Sequence, residues 1–344
     1  MNLTGALKKS TGLMSWKSTG KLQQTISRHV EVTGNGLHSG KESTVRIWPE
    51  KAGIGRYFDV LNSKYKIPAF IDFAQANSVL CTTLHHNNIN NSEEKINIRT
   101  VEHLLSALEA TGVDNCRIQI FNNHAADSDS DSDFEVPILD GSARGWVEAI
   151  KNASLTVAVD SCGNSCEKLA PFLNQSVWLQ KNDSFLVAFP SAQVCITYGI
   201  DFPQVPVIGH QWFSVAPFDD SSYSKEIAAS RTFCIYEEVE RMREMGLIKG
   251  GSVDNAMVCS ASKGWLNPPL RFSDEPCRHK ILDLVGDFSL LARLGNQGLP
   301  VAHIVAYKGG HALHADFVRR LNETFTCQEL NLPSTDQKKC GHDL

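Results

Sequence analysis

Residues 278–287 (RHKILDLVGD) combine three side chains that could do chemistry with a pattern typical of a helix. On an α-helix, His279, Asp283 and Asp287 follow one another at four-residue spacing and therefore lie along one face. An imidazole and a carboxylate one turn apart can bind a divalent metal, and Gly286 beside them leaves room for a ligand to approach the backbone. An isolated H-x-x-x-D pair is more often a solvated helix face, so further ligands have to come from elsewhere in the chain.

The third ligand of a metal site is expected from a second helix, because catalytic zinc usually combines three protein ligands with one water. The pattern predicts this helix over residues 100–111, with Thr100 as the N-cap and Gly112 as the stop. Glu102 and His103 lie outside its apolar stripe. His103 would complete the metal site, and Glu102 would act as general base, because the positive end of the helix favours its ionised form.

Further side chains could supply the proton transfer and charge stabilisation that metal-assisted amide hydrolysis needs. His311, on a glycine-flanked turn, could protonate a leaving amine or steady an oxyanion, and Asp287 could orient that imidazole and keep it charged. Thr232 offers a hydroxyl to the oxyanion, and Lys280 and Lys308 offer charge to phosphates. Each signal is weak alone, since a chain with 12 histidines and 38 acidic residues forms such pairs by chance. A polar helix start or a solvated turn would look the same.

The elements that must position these residues predict an α+β fold of two domains packed face to face, because both halves of the chain mix strands with helices. The N-terminal domain is expected over residues 23–155 and the C-terminal domain over 176–327. Residues 156–175 form the expected linker, since periodicity fades there. Residues 1–22 and 328–344 are expected as a targeting leader and a disordered tail. A duplication would fit this arrangement, but no internal sequence repeat is visible.

Local patterns predict the individual elements. Strands are expected within 24–48, 116–120, 176–190, 194–200, 256–258 and 301–307, and helices ending near 150, over 236–245, starting near 278 and ending near 321. The glycine-rich turn of the first hairpin is expected to present His38 on an exposed loop.

The charge distribution excludes some partners and indicates targeting. The chain of 344 residues has a net charge of -5, which argues against a nucleic-acid partner, and no apolar run approaches membrane-spanning length. Residues 1–30 contain five Lys or Arg, no acidic residue and many Ser and Thr. This composition resembles an organellar transit peptide, with a disordered basic tail as the alternative. Ten cysteines without a secretory signal indicate reduced thiols.

Two segments look like metal sites without meeting the requirements. Residues 127–133 (DSDSDSD) resemble the start of a calcium loop but lack its glycine and its glutamate, so a solvated, flexible insertion is expected. Cys162 and Cys166 have no second ligand pair at zinc-finger spacing, which argues against a structural zinc site.

Seven segments resemble, in order, the motifs of the UDP-3-O-acyl-N-acetylglucosamine deacetylases. They are residues 34–40 (GNGLHSG), 100–104 (TVEHL), 140–143 (DGSA), 231–233 (RTF), 250–252 (GGS), 278–287 (RHKILDLVGD) and 307–313 (YKGGHAL). The similarity runs from about residue 23 to residue 321. Gly309 stands where a serine is expected, but no departure from the family pattern touches a metal ligand.

The resemblance implies zinc-dependent hydrolysis of the N-acetyl group of UDP-3-O-(3-hydroxyacyl)-N-acetylglucosamine. This reaction releases acetate and is the committed step of lipid A biosynthesis. The family fold is two α+β domains with the active site between them and a hydrophobic passage for the acyl chain in the second. The basic leader together with the resemblance predicts a plant-like, organellar homologue, in the mitochondrion rather than the plastid. We expect a monomer.

The resemblance also assigns residues to roles. The Zn²⁺ ligands fall on His103, His279 and Asp283, although iron can compete for such a set. Catalytic roles fall on Glu102 as base, on His311 paired with Asp287, and on Thr232 at the oxyanion. Substrate contacts fall on Lys280, Phe233, Lys308 and His38. Two alternatives stay open: a non-catalytic binder of glycolipid or nucleotide sugar on the same scaffold, and a zinc hydrolase of another N-acyl amino sugar.

Overall fold

The computed structural model describes residues 12–60, 66–76, 80–87, 95–122 and 132–323. The strands are β1 Met14–Leu22, β2 Gln24–Ile26, β3 Val30–Asn35, β4 Glu42–Pro49, β5 Arg56–Val60, β6 Lys66–Pro68, β7 Leu84–Asn87, β8 Lys95–Arg99, β9 Cys116–Asn122, β10 Asp133–Glu135, β11 Leu155–Val157, β12 Glu167–Leu173, β13 Val177–Lys181, β14 Ser184–Pro190, β15 Cys195–Phe202, β16 Gly209–Val215, β17 Phe233–Ile235, β18 Met257–Ser260, β19 Gly264–Trp265 and β20 Ala302–Tyr307. The helices are α1 Glu102–Thr111, α2 Arg144–Ala153, α3 Asp220–Ser222, α4 Tyr236–Glu244, α5 Glu275–Phe288 and α6 His311–Asn322, with short 3₁₀ turns at Ile71–Phe73 and Ser289–Leu291 and a π-helical turn at Tyr223–Ile227. The predicted α+β fold is confirmed.

Two five-stranded sheets share one topology. In the first, the strand order is β3-β4-β9-β5-β6, and the central strand β9 pairs antiparallel with β4 and parallel with β5. In the second, the order is β13-β14-β20-β15-β16, and β20 pairs antiparallel with β14 and parallel with β15. In each half one helix precedes the central strand, α1 or α5, and another follows it, α2 or α6. The shared connectivity indicates a duplicated unit that the sequence does not reveal.

One face of each sheet covers the core. In β9, the fully buried Ile118 and Ile120 alternate with the polar Arg117 and Gln119. In β20, the fully buried Ile304 and Ala306 alternate with half-buried residues. Helices α1 and α5 pack against each other, and their buried apolar residues belong to a single core cluster. The contact between these two helices therefore joins the halves of the molecule.

Gly286 allows α1 and α5 to approach closely. A Cβ atom at this position would lie 2.1 Å from the carbonyl oxygen of Glu102. The backbones of the two helices therefore meet at the first turn of α1. The space beside Gly286 is filled by α1 and not by a ligand, which corrects the expectation from the sequence.

The folded structure begins before residue 23. Strand β1 pairs antiparallel with β12, with Met14 opposite Leu173 and Leu22 opposite Glu167. The expectation that the fold starts near residue 23 is therefore wrong, and the expected linker contains a strand. Neither strand has a strong apolar alternation, and the partners are about 150 residues apart in sequence. Neither strand can therefore be predicted from its own residues, and each is identified only by its pairing with the other. The targeting role of the leader and the domain boundaries stay predictions.

The predicted ends of α1 are half right. Thr100 is not an N-cap: its φ is 58°, and its hydroxyl donates to Oε1 of Glu135 at 2.8 Å. The N-cap position is Val101, which offers no side-chain hydrogen bond. Gly112 is confirmed as the stop, since its φ of 81° is the left-handed conformation that favours glycine. Tertiary contacts, rather than local capping, hold the start of this helix.

Some predictions concern residues that the structure does not describe. Residues 127–131 of the acidic insertion and the expected tail at 328–344 lie outside the described residues. Across the described ranges, no helix is long and apolar enough to cross a membrane.

Candidate metal centre

Two helices from different halves of the chain bring three metal-ligating side chains together. His103 extends from the first turn of α1, and His279 and Asp283 extend from successive turns of α5. One ligand atom from each lies within 4.8 Å of the other two. Oδ1 of Asp283 is 3.3 Å from Nε2 of His279 and 3.7 Å from Nε2 of His103. All three are buried, so the expected ligands form one compact, solvent-protected cluster.

The protonation and orientation of this cluster suit a cation. Oδ1 of Asp283 and Nδ1 of His103 are buried and have no hydrogen-bond partner within the described chain. An unpaired buried oxygen destabilises the folded state, and a metal ion bound to Oδ1 of Asp283 would remove that penalty. Nδ1 of His279 lies 3.0 Å from the carbonyl oxygen of Ser230, which favours the tautomer that leaves Nε2 free for a ligand bond. Burial lowers the pKa of His279 to about 4, so this imidazole is neutral. Lys280 donates to the other oxygen of Asp283 at 2.7 Å.

Asp283 is a carboxylate in spite of its burial. Burial alone would raise the pKa of Asp283, but His279 and Lys280 outweigh it and hold the pKa well below its usual range. Two imidazoles and one anionic oxygen form a common ligand set of divalent transition metals. The residues present therefore fit a metal ion.

Glu102 lies beside the ligand cluster. Its Oε2 accepts a hydrogen bond from the backbone N–H of Thr82 at 2.9 Å, and its Oε1 is 3.9 Å from Nε2 of His311. Burial raises the pKa of Glu102, so desolvation outweighs the helix N-terminus that was expected to favour the ionised form. A carboxyl group with a raised pKa is a better proton acceptor, as a general base requires.

His311 and Asp287 form a buried ion pair. Nδ1 of His311 is 2.9 Å from Oδ2 of Asp287, and the hydroxyl of Thr82 donates to the other oxygen. Burial alone would lower the pKa of His311, but Asp287, Asp283 and Glu102 outweigh it and raise the pKa to about 9. Burial would raise the pKa of Asp287, but His311 and His314 hold it at about 2. Nε2 of the imidazolium is then a donor facing Glu102 and Asp283.

These side chains line a cavity of about 160 Å³. Its walls are Leu37, Leu80, Thr100, Glu102, His103, Ile138, Thr232, Phe233, His279, Lys280, Asp283 and His311. A larger, mostly apolar cavity of about 430 Å³ shares four of these residues, Leu37, Leu80, Thr232 and Phe233. The smaller, more polar cavity, called the reaction chamber below because it contains the three expected ligands, therefore adjoins an apolar cavity formed mainly by the C-terminal half.

Thr232 is held at the junction of the two cavities by backbone contacts. Its N–H donates to the carbonyl of Gly141 at 2.8 Å, and its carbonyl accepts from the N–H of Met257 at 2.7 Å. A Cβ at position 141 would lie 2.0 Å from the carbonyl oxygen of Asn255. The DGSA and RTF motifs therefore fix each other's backbone, and Thr232 lines the same cavity as the three expected ligands.

Two of the expected substrate residues, His38 and Lys308, do not line the smaller cavity. His38 is not on an exposed loop: it is 3% exposed, its Nδ1 is 3.4 Å from the backbone nitrogen of Ile248, and it lines the larger cavity. The loop is covered because residues 248–251 pack onto it. Lys308 lines neither cavity; it pairs with Asp183 and lies 3.8 Å from Asp201. Lys280 and Phe233 do line the reaction chamber.

Sequence reasoning missed three contributors. Thr82 bonds both Glu102 and Asp287, but its own segment has no recognisable motif. Ser230 acts through its backbone carbonyl, which any residue supplies. His314 bonds Asp287 at 2.8 Å and follows His311 by three positions on α6, a helical spacing that could have indicated it.

A site of this kind, with candidate ligands from both halves of an α+β fold, is typical of metal-dependent hydrolases. The family profile of UDP-3-O-acyl N-acetylglycosamine deacetylase matches residues 23–323. The chain therefore belongs to the UDP-3-O-acyl-N-acetylglucosamine deacetylase family.

Named relatives agree with this assignment. The probable UDP-3-O-acyl-N-acetylglucosamine deacetylase 1, mitochondrial, of Arabidopsis thaliana is 59% identical over 312 residues, covering 91% of each chain. The UDP-3-O-acyl-N-acetylglucosamine deacetylase of Trichormus variabilis is 43% identical, covering 87% of this chain and 98% of its own. That of Synechocystis is 40% identical, covering 88% and 99%. The predicted plant-like family member is confirmed, and the mitochondrial name of the Arabidopsis relative agrees with the expectation of mitochondrion over plastid.

Proposed function

We propose that this enzyme hydrolyses the N-acetyl group of UDP-3-O-(3-hydroxyacyl)-N-acetylglucosamine and releases acetate, with one Zn²⁺ held by His103, His279 and Asp283. The observation that carries the proposal is the convergence of these ligands with Glu102 and His311 around one buried cavity. The family membership supports the substrate class.

The ligand set supports zinc at this position. Two imidazoles and a carboxylate leave a fourth position open in a tetrahedral site. When bound, zinc in such a site acidifies a water molecule and polarises a carbonyl group. The carbonyl of Ser230 and the ammonium of Lys280 orient two of the ligands from outside.

Proton transfer is assigned to Glu102 and His311, which lie beside the ligand cluster and 3.9 Å from each other. Glu102 accepts a proton from the attacking water, since its pKa is raised and it lines the cavity. His311 enters as an imidazolium, so its Nε2–H first stabilises the developing oxyanion together with the hydroxyl of Thr232 and then protonates the leaving amine. Asp287 keeps the imidazolium oriented and charged.

Substrate binding is assigned by the character of the two cavities. The glucosamine ring fits beside Lys280 and Phe233 in the polar chamber, and the acyl chain fits the apolar cavity, where His38 lies in the wall. The ammonium of Lys308 lies 3.8 Å from Asp201, which is next in sequence to Phe202 in the wall of the apolar cavity. We therefore assign Lys308 to the diphosphate, which would lie outside the chamber.

We place the reaction in the mitochondrion as the committed step of a lipid A pathway. The test is acetate release from the UDP-sugar by purified protein whose zinc content is measured on the same sample. We expect about one zinc per chain, and acetate release that Glu102→Gln slows by about 10²- to 10⁴-fold without changing the zinc content. Zinc-loaded, folded protein that releases no acetate would overturn the proposal. Equal rates on substrate with and without the 3-O-acyl chain would overturn the assignment of the apolar cavity.

A further inference from the structure

Two fully buried side chains behind His311 have no role in the reaction described above. Nδ1 of His314 lies 2.8 Å from Oδ2 of Asp287, the same oxygen that Nδ1 of His311 contacts at 2.9 Å. Nε2 of His314 lies 3.0 Å from the hydroxyl of Tyr198. His314 and Tyr198 are both 0% exposed. The ion pair therefore continues into the core as a chain of three hydrogen-bonded groups.

Only one arrangement of protons satisfies every member of this chain. The carboxylate of Asp287 can only accept, so Nδ1 of His314 carries a hydrogen. In a neutral imidazole Nε2 is then an acceptor, and the hydroxyl of Tyr198 donates to it. Burial lowers the pKa of His314 and raises that of Tyr198, which keeps both neutral. The polarity of each bond is thereby set by the carboxylate at its end.

We propose that His314 and Tyr198 are positioning residues of the deacetylation, locking the carboxylate of Asp287 in the orientation that aims His311 at the reacting amide. The proposal rests on the proposed function. With Thr82 on one oxygen and two imidazoles on the other, the carboxylate receives three donors and cannot rotate without breaking a buried hydrogen bond. Without His314, the carboxylate of Asp287 would be held by Thr82 and His311 alone, and the imidazole of His311 would be oriented less firmly.

The backbone leaves space for this chain at one specific residue. A Cβ atom at position 309 would lie 2.7 Å from the Tyr198 hydroxyl and 3.1 Å from Nε2 of His314. Gly309 has no positive φ, so what the site needs there is room and not an unusual backbone. This gives a physical reason for glycine at the position where the family pattern predicts a serine.

The kinetic test uses full-length, zinc-loaded protein and substitutions that separate the two bonds. His314→Asn keeps an N–H donor near the Nδ1 position but removes the acceptor for Tyr198, and Tyr198→Phe removes the same bond from the other side. We expect each to lower kcat about 3- to 10-fold, the range for one buried hydrogen bond. KM and zinc content should stay unchanged. His314→Leu, which removes both bonds, should lower kcat roughly 30- to 100-fold.

A double variant and a matched control complete the kinetic test. The double variant Tyr198→Phe with His314→Asn should be no slower than His314→Asn alone, because each substitution removes the same hydrogen bond between Tyr198 and His314. Tyr223→Phe is the control. The hydroxyl of Tyr223 is equally buried and lies 2.8 Å from that of Ser106, and it takes no part in the hydrogen bonds of Asp287, His314 and Tyr198. This variant should retain the kcat of the parent. Losses that appear only in KM or zinc content, or that Tyr223→Phe matches, would overturn the proposal.

A spectroscopic readout works without any turnover. ¹⁵N-histidine NMR of the full-length protein should find His314 in the neutral Nδ1–H tautomer, with an Nε2 resonance that shifts in Tyr198→Phe and not in Tyr223→Phe. The Nε2–H tautomer, or an unshifted resonance, would overturn the hydrogen-bond chain. If the parent released no acetate while the tautomer was as expected, the proposed function would fail and the hydrogen-bond chain would stand.

Discussion

Gly286→Ala should separate the two halves of the metal site. An added Cβ would lie 2.1 Å from the carbonyl oxygen of Glu102, 2.8 Å from its carbonyl carbon and 3.0 Å from its Cα. Ordinary contact begins at 3.4 Å, so α1 and α5 would have to move apart by 1.3 Å, the difference between 3.4 and 2.1. The obstacle is backbone, which cannot rotate away as a side chain does.

The magnitude follows from two opposing terms. Alanine in a helix interior is favoured over glycine by about 1 kcal/mol, whereas overpacking a tight core contact costs about 3 kcal/mol. The unfolding entropy of a chain of 344 residues is about 0.7 kcal/mol/K, so the net loss of about 2 kcal/mol should lower Tm by about 3 °C. Metal affinity should fall about 10- to 100-fold, because His103 moves with α1 while His279 and Asp283 move with α5, and zinc–ligand distances tolerate only about 0.2 Å.

The assay combines thermal unfolding with zinc competition against a chromophoric chelator. Gly145→Ala on α2 is the matched control, since its Cβ would meet only Cδ1 of Leu139, the movable end of a side chain, at 2.9 Å. It should keep the zinc affinity of the parent. If Gly286→Ala raised Tm and left zinc affinity intact, the claim that the helix separation sets the ligand geometry would be refuted.

Three further predictions concern the chemistry of the site. Glu102→Gln should lower kcat by about 10²- to 10⁴-fold with zinc content unchanged; activity within tenfold of the parent would exclude it as the base. Because the pKa of His311 is raised to about 9, kcat/KM should fall as pH rises through about 9, where the imidazolium is lost. Asp287→Asn removes the strongest raising charge and should move that decline to lower pH; an unmoved decline would contradict the pairing. Removing the metal with a chelator should lower Tm by several degrees in the parent and not in His279→Ala, and an equal drop in both would place the metal elsewhere.

Local patterns predicted the helices and the chemistry they carry. The four-residue spacing on α5 and the apolar stripe of α1 indicated both helices, and the DGSA and RTF motifs pointed to the neighbourhood of Thr232. Patterns failed where a partner lies far away in sequence. Strand β1 needs β12, and Thr100 bonds Glu135 instead of capping α1, so neither could be derived from its own neighbours.

The sequence by itself determined which side chains can bind a metal or move a proton, because residue type and helical spacing are local properties. Only the tertiary structure decided that His103 meets His279 and Asp283, that His38 is buried and that Lys308 lies outside the chamber. It also decided the charge states. Burial and neighbouring charges set the pKa of Glu102 and His311, and those neighbours come from both halves of the duplicated fold. Gly286 shows the reason most plainly. A glycine is needed there because the backbone of Glu102, almost two hundred residues away in sequence, lies against it, and no local pattern can predict that contact.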